Sequence, residues 1–432
     1  VSQEVLGAAA PAVVVPGEPE LFVERRRAAF GAYQSLPIPA RPRTPLKARR
    51  LDSIPYFTPD PTDAEEVPAP LREAPASAGH MVLANGQVTS AQLASQWRER
   101  GVELTSLMEA ARRGPDRVAS HLGALVPMDQ DRYTAANAAG WRDGVWLYVP
   151  RGTVVTEPIT IVHWVGSHAH GVFPRTLVVA EPGAQVHVVE MYLGDAADDH
   201  RVLVSAVTEV VAGDGSQVTL FGLQQLPPGA ETFLRRRAQA GHDARVDWAT
   251  AEFGSALSVS GHHTDLVESG AATSSYTVSF GSEAQHFDYD AEVVHVGPHT
   301  TSTMRARTVM SGRSRSIFTG LGEIRKGARG ADARQKEETL MLSADARADA
   351  IPSLLIGDND VFAAHAASAG PVDELALYYL ATRGIPREDA IDMLVRGFLG
   401  PVVEQIALPA VQERVWAAIE TKLQAERGRL TS

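Results

Sequence analysis

The 432-residue chain contains no cysteine, which excludes a disulfide framework and any zinc or iron–sulfur site built from its own thiolates. Metal chemistry here must draw on histidine or carboxylate, or on thiolates of another protein. Aromatic residues make up only 6% of the chain, a shortage for lining a carbohydrate groove. With 40 basic against 52 acidic residues the net charge is -12, which disfavours nonspecific contact with nucleic acid or an acidic membrane. No window approaches the ~18 unbroken apolar residues of a membrane-spanning helix. The apolar run over residues 5–15 has no basic residues ahead of it and is interrupted by Pro11, so it reads poorly as a secretion signal and the cytoplasm is the expected compartment. Nucleotide and nucleophile motifs are missing too. Gly320-Leu-Gly lacks the following Lys-Ser/Thr of a phosphate loop, and Gly312 and Ser314 do not complete a Gly-x-Ser-x-Gly elbow.

What is present changes character along the chain. Residues 1–18, rich in Ala, Val, Pro and Gly, read as a flexible tail. Residues 19–130 read as a helical region: a short helix over 20–33, a proline-rich arm over 36–75, and a second helical patch over 90–121 broken near Gly101. From about Ala135, β-branched runs such as Val145-Trp-Leu-Tyr-Val and Val186-His-Val-Val-Glu-Met follow one another between turn residues without intervening helices, as in an all-β region. Segments opening at Gly183, Gly215, Asp243 and Gly270 share a turn residue, a small residue and an alternating strand, and their spacing falls in the range of solenoid repeats. Stacked coils need that arrangement, because one coil cannot bury its apolar face alone. Pattern alone leaves a β-sandwich open. The expected core spans 131–370. Residues 371–432 form a helical C-terminal domain, where Ile391, Leu394, Val395, Phe398 and Leu399 make one apolar stripe on a helix starting near Pro386.

Several blocks occur in a fixed order: Asn137-Ala-Ala, Asp143-Gly-Val-Trp-Leu-Tyr-Val-Pro, Gln285-His-Phe-Asp, His295, the stretch 316–327, Asp332-Ala-Arg-Gln, Leu342-Ser-Ala-Asp-Ala-Arg, Tyr379-Leu and Arg383-Gly-Ile. This string resembles the SufB/SufD family of iron–sulfur cluster assembly proteins over about two thirds of the chain. The resemblance implies a mainly β fold: a right-handed parallel β-helix core with helical N-terminal and C-terminal subdomains. Where the family carries Cys-x-His-Gly-Ala-Thr, this chain reads Ala363-Ala-His365-Ala-Ala-Ser, keeping the histidine and losing the thiol. That departure matches the branch that does not supply the cluster-building cysteine.

The resemblance further implies a non-catalytic scaffold subunit of the SUF system that pairs with SufB through the β-helix. His365 becomes a candidate iron or cluster ligand shared with SufB. The C-terminal helices are expected to bind the SufC ATPase, with Leu375, Tyr378, Tyr379, Leu394 and Phe398 as docking or supporting positions. No cofactor is expected to bind this chain stably; iron or an Fe–S cluster would pass through the complex, and a flavin is possible there. The isolated chain is expected to form a homodimer.

Each candidate has a bland counterpart. His365 also reads as a packed or surface histidine at a strand end. His262-His263 with Asp265, and His295 with His299, are formal metal pairs, but Gly297 and Pro298 separate the latter, and alternation along a strand explains the former better. Gln285, His286, Asp288 and His295 read as supports for turns or a dimer interface, and the cluster Arg305 to Arg315 as a solvated face. Two other functions stay open. One is a stand-alone β-helix polysaccharide lyase or hydrolase using Asp288 with Asp290, or Asp358 with Asp360, for calcium or acid–base work. The other is a metal-free structural homodimer.

Overall fold

The computed structural model describes residues 15–55, 57, 67–72, 77–195, 200–406 and 408–427. The tail expected over 1–18 therefore lies, up to residue 14, outside the described residues, as do parts of the proline-rich arm.

The core is a parallel β-solenoid. Successive strands alternate between two stacked sheets, each coil giving one strand to each. One sheet runs Gly79–Ala84, Ile159–Val165, Gln185–Gly194, Gln217–Gln225, Arg245–Glu252, Ala272–Gly281, Thr301–Met310, Asp332–Met341 and Phe362–Pro371. The other runs Val145–Val149, Arg175–Ala180, Val202–Ala212, Ala230–Ala240, Leu257–Leu266, His286–His295, Arg315–Ile324 and Arg347–Ile356. All pairings along these two series are parallel, which rules out the sandwich. Antiparallel partners, Gln87–Leu93 and Glu103–Ser106, join only at the first edge.

The repeat has a backbone cause. Gly152, Gly183, Gly215, Asp243, Gly270, His299 and Gly330 all adopt positive φ, between 50° and 73°. That region is open to Gly and tolerated by Asp or Asn, which explains the turn residues. Each of these N–H groups donates to a carbonyl at the same corner of the next coil: Gly183 to Asp214 at 2.8 Å, Gly215 to His242 at 2.7 Å, Asp243 to Ser269 at 2.9 Å and Gly330 to Asp360 at 2.7 Å. His299 occupies such a corner, donating to the Arg329 carbonyl at 2.7 Å.

Between the sheets lies an apolar filling that includes Val188, Leu220, Trp248, Met304 and Phe318. Both outer faces are also covered, so the strands read as nearly continuous apolar runs. Val189, Phe221, Ala249, Val278 and Val309, on the outside of the first sheet, pack with Leu377, Val395, Leu399, Val415 and Ile419 of the C-terminal helices Glu374–Thr382, Arg387–Val403 and Pro409–Glu426. Phe22, Met108 and Tyr133 of the N-terminal helices Glu20–Ser35, Leu107–Arg113 and Arg132–Gly140 cover Trp146, Leu203, Phe233 and Val259 of the second sheet.

The stretch over 90–121 departs from the helical expectation. It holds the end of the strand Gln87–Leu93, the strand Glu103–Ser106 and three short helices. The reason is a hairpin. Asn85 and Gly86, both at positive φ, turn Gly79–Ala84 back onto Gln87–Leu93, and Gly79–Ala84 pairs in parallel with Ile159–Val165. The coil stack thus begins ahead of residue 131.

Candidate functional site

The solenoid ends on two strands, Arg347–Ile356 and Phe362–Pro371, that have no further strand beyond them in their sheets among the described residues. Most of their residues are exposed or half-buried, and Leu355, Ile356 and Phe362 stand 55%, 52% and 53% exposed. Such an open edge is a template for another chain.

His365 sits in the middle of the last strand and is itself exposed. It pairs with Gln335, and Ala363 pairs with Ala333, in the preceding coil. Ala363 packs on the cluster containing the buried Ala333, which fixes the side of the strand facing the interior, and His365 shares that side. The imidazole therefore belongs to the inner face of the last coil, where nothing covers it. Among the described residues no three His, Asp or Glu side chains gather to hold a metal ion. A metal at His365 would thus need donors beyond such a cluster.

The other histidines are occupied. His295 is fully buried, its ring nitrogens 2.8 Å from the Thr300 and Ser302 hydroxyls, and burial pushes it down to about 4. His262 and His263 face opposite sides of their strand. His262 points inward to the Tyr289 hydroxyl at 2.7 Å and is pushed down to about 3, by burial first and by Arg236 and His263 after it. His263 points outward between Asp265 at 2.8 Å and Glu292 at 2.9 Å. Burial opposes its charge, but the two carboxylates outweigh this and hold it above the usual histidine value.

The paired aspartates are tied up as well. Asp288 and Asp290 grip Arg41 of the N-terminal arm, with Nε to Asp288 at 2.6 Å and Nη2 to Asp290 at 2.8 Å. Thr44 also donates to Asp288, and its hydroxyl lies 2.9 Å from Nε2 of His286. Burial alone would raise the Asp288 carboxyl; Arg41 overrides it and holds it low. Asp358 accepts from the backbone of Gly327 at 3.1 Å and of Asp360 at 3.3 Å, a turn-forming role. Gln285 accepts from Lys422 at 2.6 Å and donates to the carbonyls of Phe253 and Ser255, anchoring the last helix to the solenoid. In the basic cluster, Arg307 pairs with Glu338 and Arg315 with Asp349.

The five C-terminal positions divide. Leu375, Tyr378 and Tyr379 are 73%, 69% and 56% exposed and line a shallow depression with Asp373, Ala376 and Thr382. Leu394 and Phe398 are half-buried against the protein's own core; Arg307 lies over the Phe398 ring at 5.1 Å and donates to its carbonyl. Arg41 was not marked by the sequence as a structural residue, since its partners lie 247 and 249 positions away.

A parallel β-solenoid with helical N-terminal and C-terminal parts is the fold that the resemblance to the SufB/SufD family implies, and comparison with known proteins agrees. Residues 163–398 match the SUF system FeS cluster assembly, SufBD core domain, and residues 75–161 match the SufBD protein N-terminal region. The chain belongs to the SufB/SufD family of iron–sulfur cluster assembly proteins. Within it the likeness is to SufD: the chain is 34% identical over 333 residues to the iron-sulfur cluster assembly protein SufD of Bacillus subtilis, covering 77% of this chain and 76% of the relative. It is 25% identical over 408 residues to an iron-sulfur cluster assembly SufBD family protein of Staphylococcus aureus, covering 90% and 87% of the two chains.

Proposed function

We propose that this protein is a non-catalytic, SufD-like scaffold subunit of a cytoplasmic SUF complex. The open end of its solenoid pairs with SufB, and the exposed face of the helix Glu374–Thr382 docks the SufC ATPase. The carrying observation is the uncapped last coil. Its free strand edges and exposed Leu355, Ile356 and Phe362 suit continuation by another β-solenoid, and the same coil carries His365. In that position the imidazole supplies one nitrogen to iron or a nascent cluster, while thiolates come from SufB, since this chain has none. Iron is cargo here, held in passing. ATP is hydrolysed by SufC.

The test is to mix the purified full-length chain with SufB and SufC and measure the mass of the product by light scattering. A ternary complex, lost when Leu355 and Phe362 are changed to Asp, is expected. A chain that stays homodimeric with both partners present would refute the reading. His365→Ala is expected to assemble normally but load less iron.

A further inference from the structure

The inner face of the solenoid is polar in places, and its buried carboxylates are hydrogen-bonded in the middle coils. Glu190 accepts from Thr176 at 2.6 Å and Thr208 at 3.0 Å beside His163, and Glu252 accepts from Ser258 at 2.8 Å and Ser260 at 2.5 Å. The last covered coil carries three buried polar residues in succession. On the strand Asp332–Met341, the inward residues Gln335, Glu337 and Thr339 are only 7%, 6% and 5% exposed. Oε1 of Gln335 and Oγ1 of Thr339 have no hydrogen-bond partner among the described residues. The Glu337 side chain lies between them on the same face of the strand and is buried with them. Leaving a buried polar group unsatisfied costs about 1–3 kcal/mol, so several in succession call for an explanation.

The same rungs of the last strand carry His365, Ala367 and Ala369, and the two alanines are too short to bond the groups beneath. Across the interior, Gly320 and Gly322 face Gln335: a Cβ on them would lie 2.7 Å from Oε1 and 2.9 Å from Nε2. The Gln335 amide thus reaches across the solenoid over a glycine pair, donating to the Ser353 carbonyl at 3.2 Å with its oxygen unused.

We propose that this well at the open end binds a divalent first-row transition-metal ion, with the Glu337 carboxylate and the Gln335 amide oxygen as ligands beside the His365 imidazole. The inference rests on the reading of His365 as an iron ligand and adds two oxygen donors to it. One nitrogen and two oxygens suit Fe(II), Mn(II) or Co(II) and leave positions for water or a partner's donors.

The experiment is an anaerobic titration of the full-length chain with Co(II), followed by visible absorption and equilibrium dialysis. One bound ion is expected. The neutral isostere Glu337→Gln should weaken it at least about tenfold, as even indirect ligand supports do, and should change the visible bands. Glu337→Leu, which replaces an unpaired buried acid with an apolar group, should fold and bind no better than Glu337→Gln. No binding by the natural chain at millimolar Co(II), or identical affinity and spectra in folded Glu337 variants, would overturn the proposal. Failure to assemble with SufB and SufC while Co(II) binding persists would remove the scaffold reading and leave this site standing.

Discussion

Replacing Arg41 with alanine should release the N-terminal arm from the solenoid. Its guanidinium makes four hydrogen bonds, two to Asp288 at 2.6 and 2.7 Å and two to Asp290, both at 2.8 Å. The two carboxylates differ in what they lose. Asp290 has a side chain 35% exposed and keeps Arg235 at 3.5 Å, so its loss is small. Asp288 is 4% exposed and would retain only the Thr44 hydroxyl, with His286 held neutral by burial. Stranding a buried charge costs about 3–5 kcal/mol, and because Arg41 is itself 16% exposed the lower end, about 3 kcal/mol, applies. The readout is hydrogen exchange of the arm amides, including Thr44, which donates to the Arg41 carbonyl at 3.1 Å. Local opening should become about a hundredfold more populated. Adding Asp288→Asn should recover a good part of the loss by removing the stranded charge. Because the folded Asp288 carboxyl is held below its usual value, the clamp is complete above the normal carboxylate range. It weakens as pH falls through that depressed value. An arm equally protected in Arg41→Ala, or no rescue by Asp288→Asn, would refute this account.

Leu375→Asp and Tyr379→Ala, on an exposed helix face, should change stability by less than about 0.5 kcal/mol yet abolish binding to SufC, as measured by calorimetry. Gly215 has φ 65°, and a Cβ added to it would meet nothing within 4 Å, so Gly215→Ala should destabilise by about 1 kcal/mol through backbone strain alone, and Gly215→Asn by less; urea midpoints check this. His263, raised against burial by Asp265 and Glu292, contributes stability that is full below the ordinary histidine value and fades as pH rises through its folded value. The melting-temperature difference between the natural chain and His263→Gln should therefore shrink from pH 6 to pH 9. A constant difference would count against the ion pairs.

The solenoid was legible because its corners demand residues that tolerate positive φ, and these recur in the sequence as Gly183, Gly215, Asp243 and Gly270. The hairpin was legible in principle from Asn85-Gly86, but the apolar spacing of Leu93, Trp97, Leu104 and Leu107 imitated a helix. Opposite orientations of His262 and His263 follow from strand alternation. The clamp on Asp288 and Asp290 was not legible, because it joins residues on elements far apart in the chain and leaves no local pattern. Gly320 and Gly322 looked like a fragment of a phosphate loop; their role appears only when Gln335 from the opposite sheet is seen to lie over them.

The stacked corners also bear on how such a protein can vary in size. The positive-φ residue of each corner donates to the corner above it, so removing or inserting a whole coil reconnects the same donor to an equivalent carbonyl. Coil number is then an adjustable dimension, with each added coil lengthening the rod by one strand spacing, about 4.8 Å. The arm anchored at Asp288 fixes one limit to that freedom: the coils between this anchor and the N-terminal helices set the span it must bridge. The C-terminal helices set another limit: the last strand runs directly into Glu374–Thr382, while Gln285, Arg307 and Ser311 hold Lys422, Phe398 and Glu426, so a coil added at the open end must be matched by a longer return of that segment.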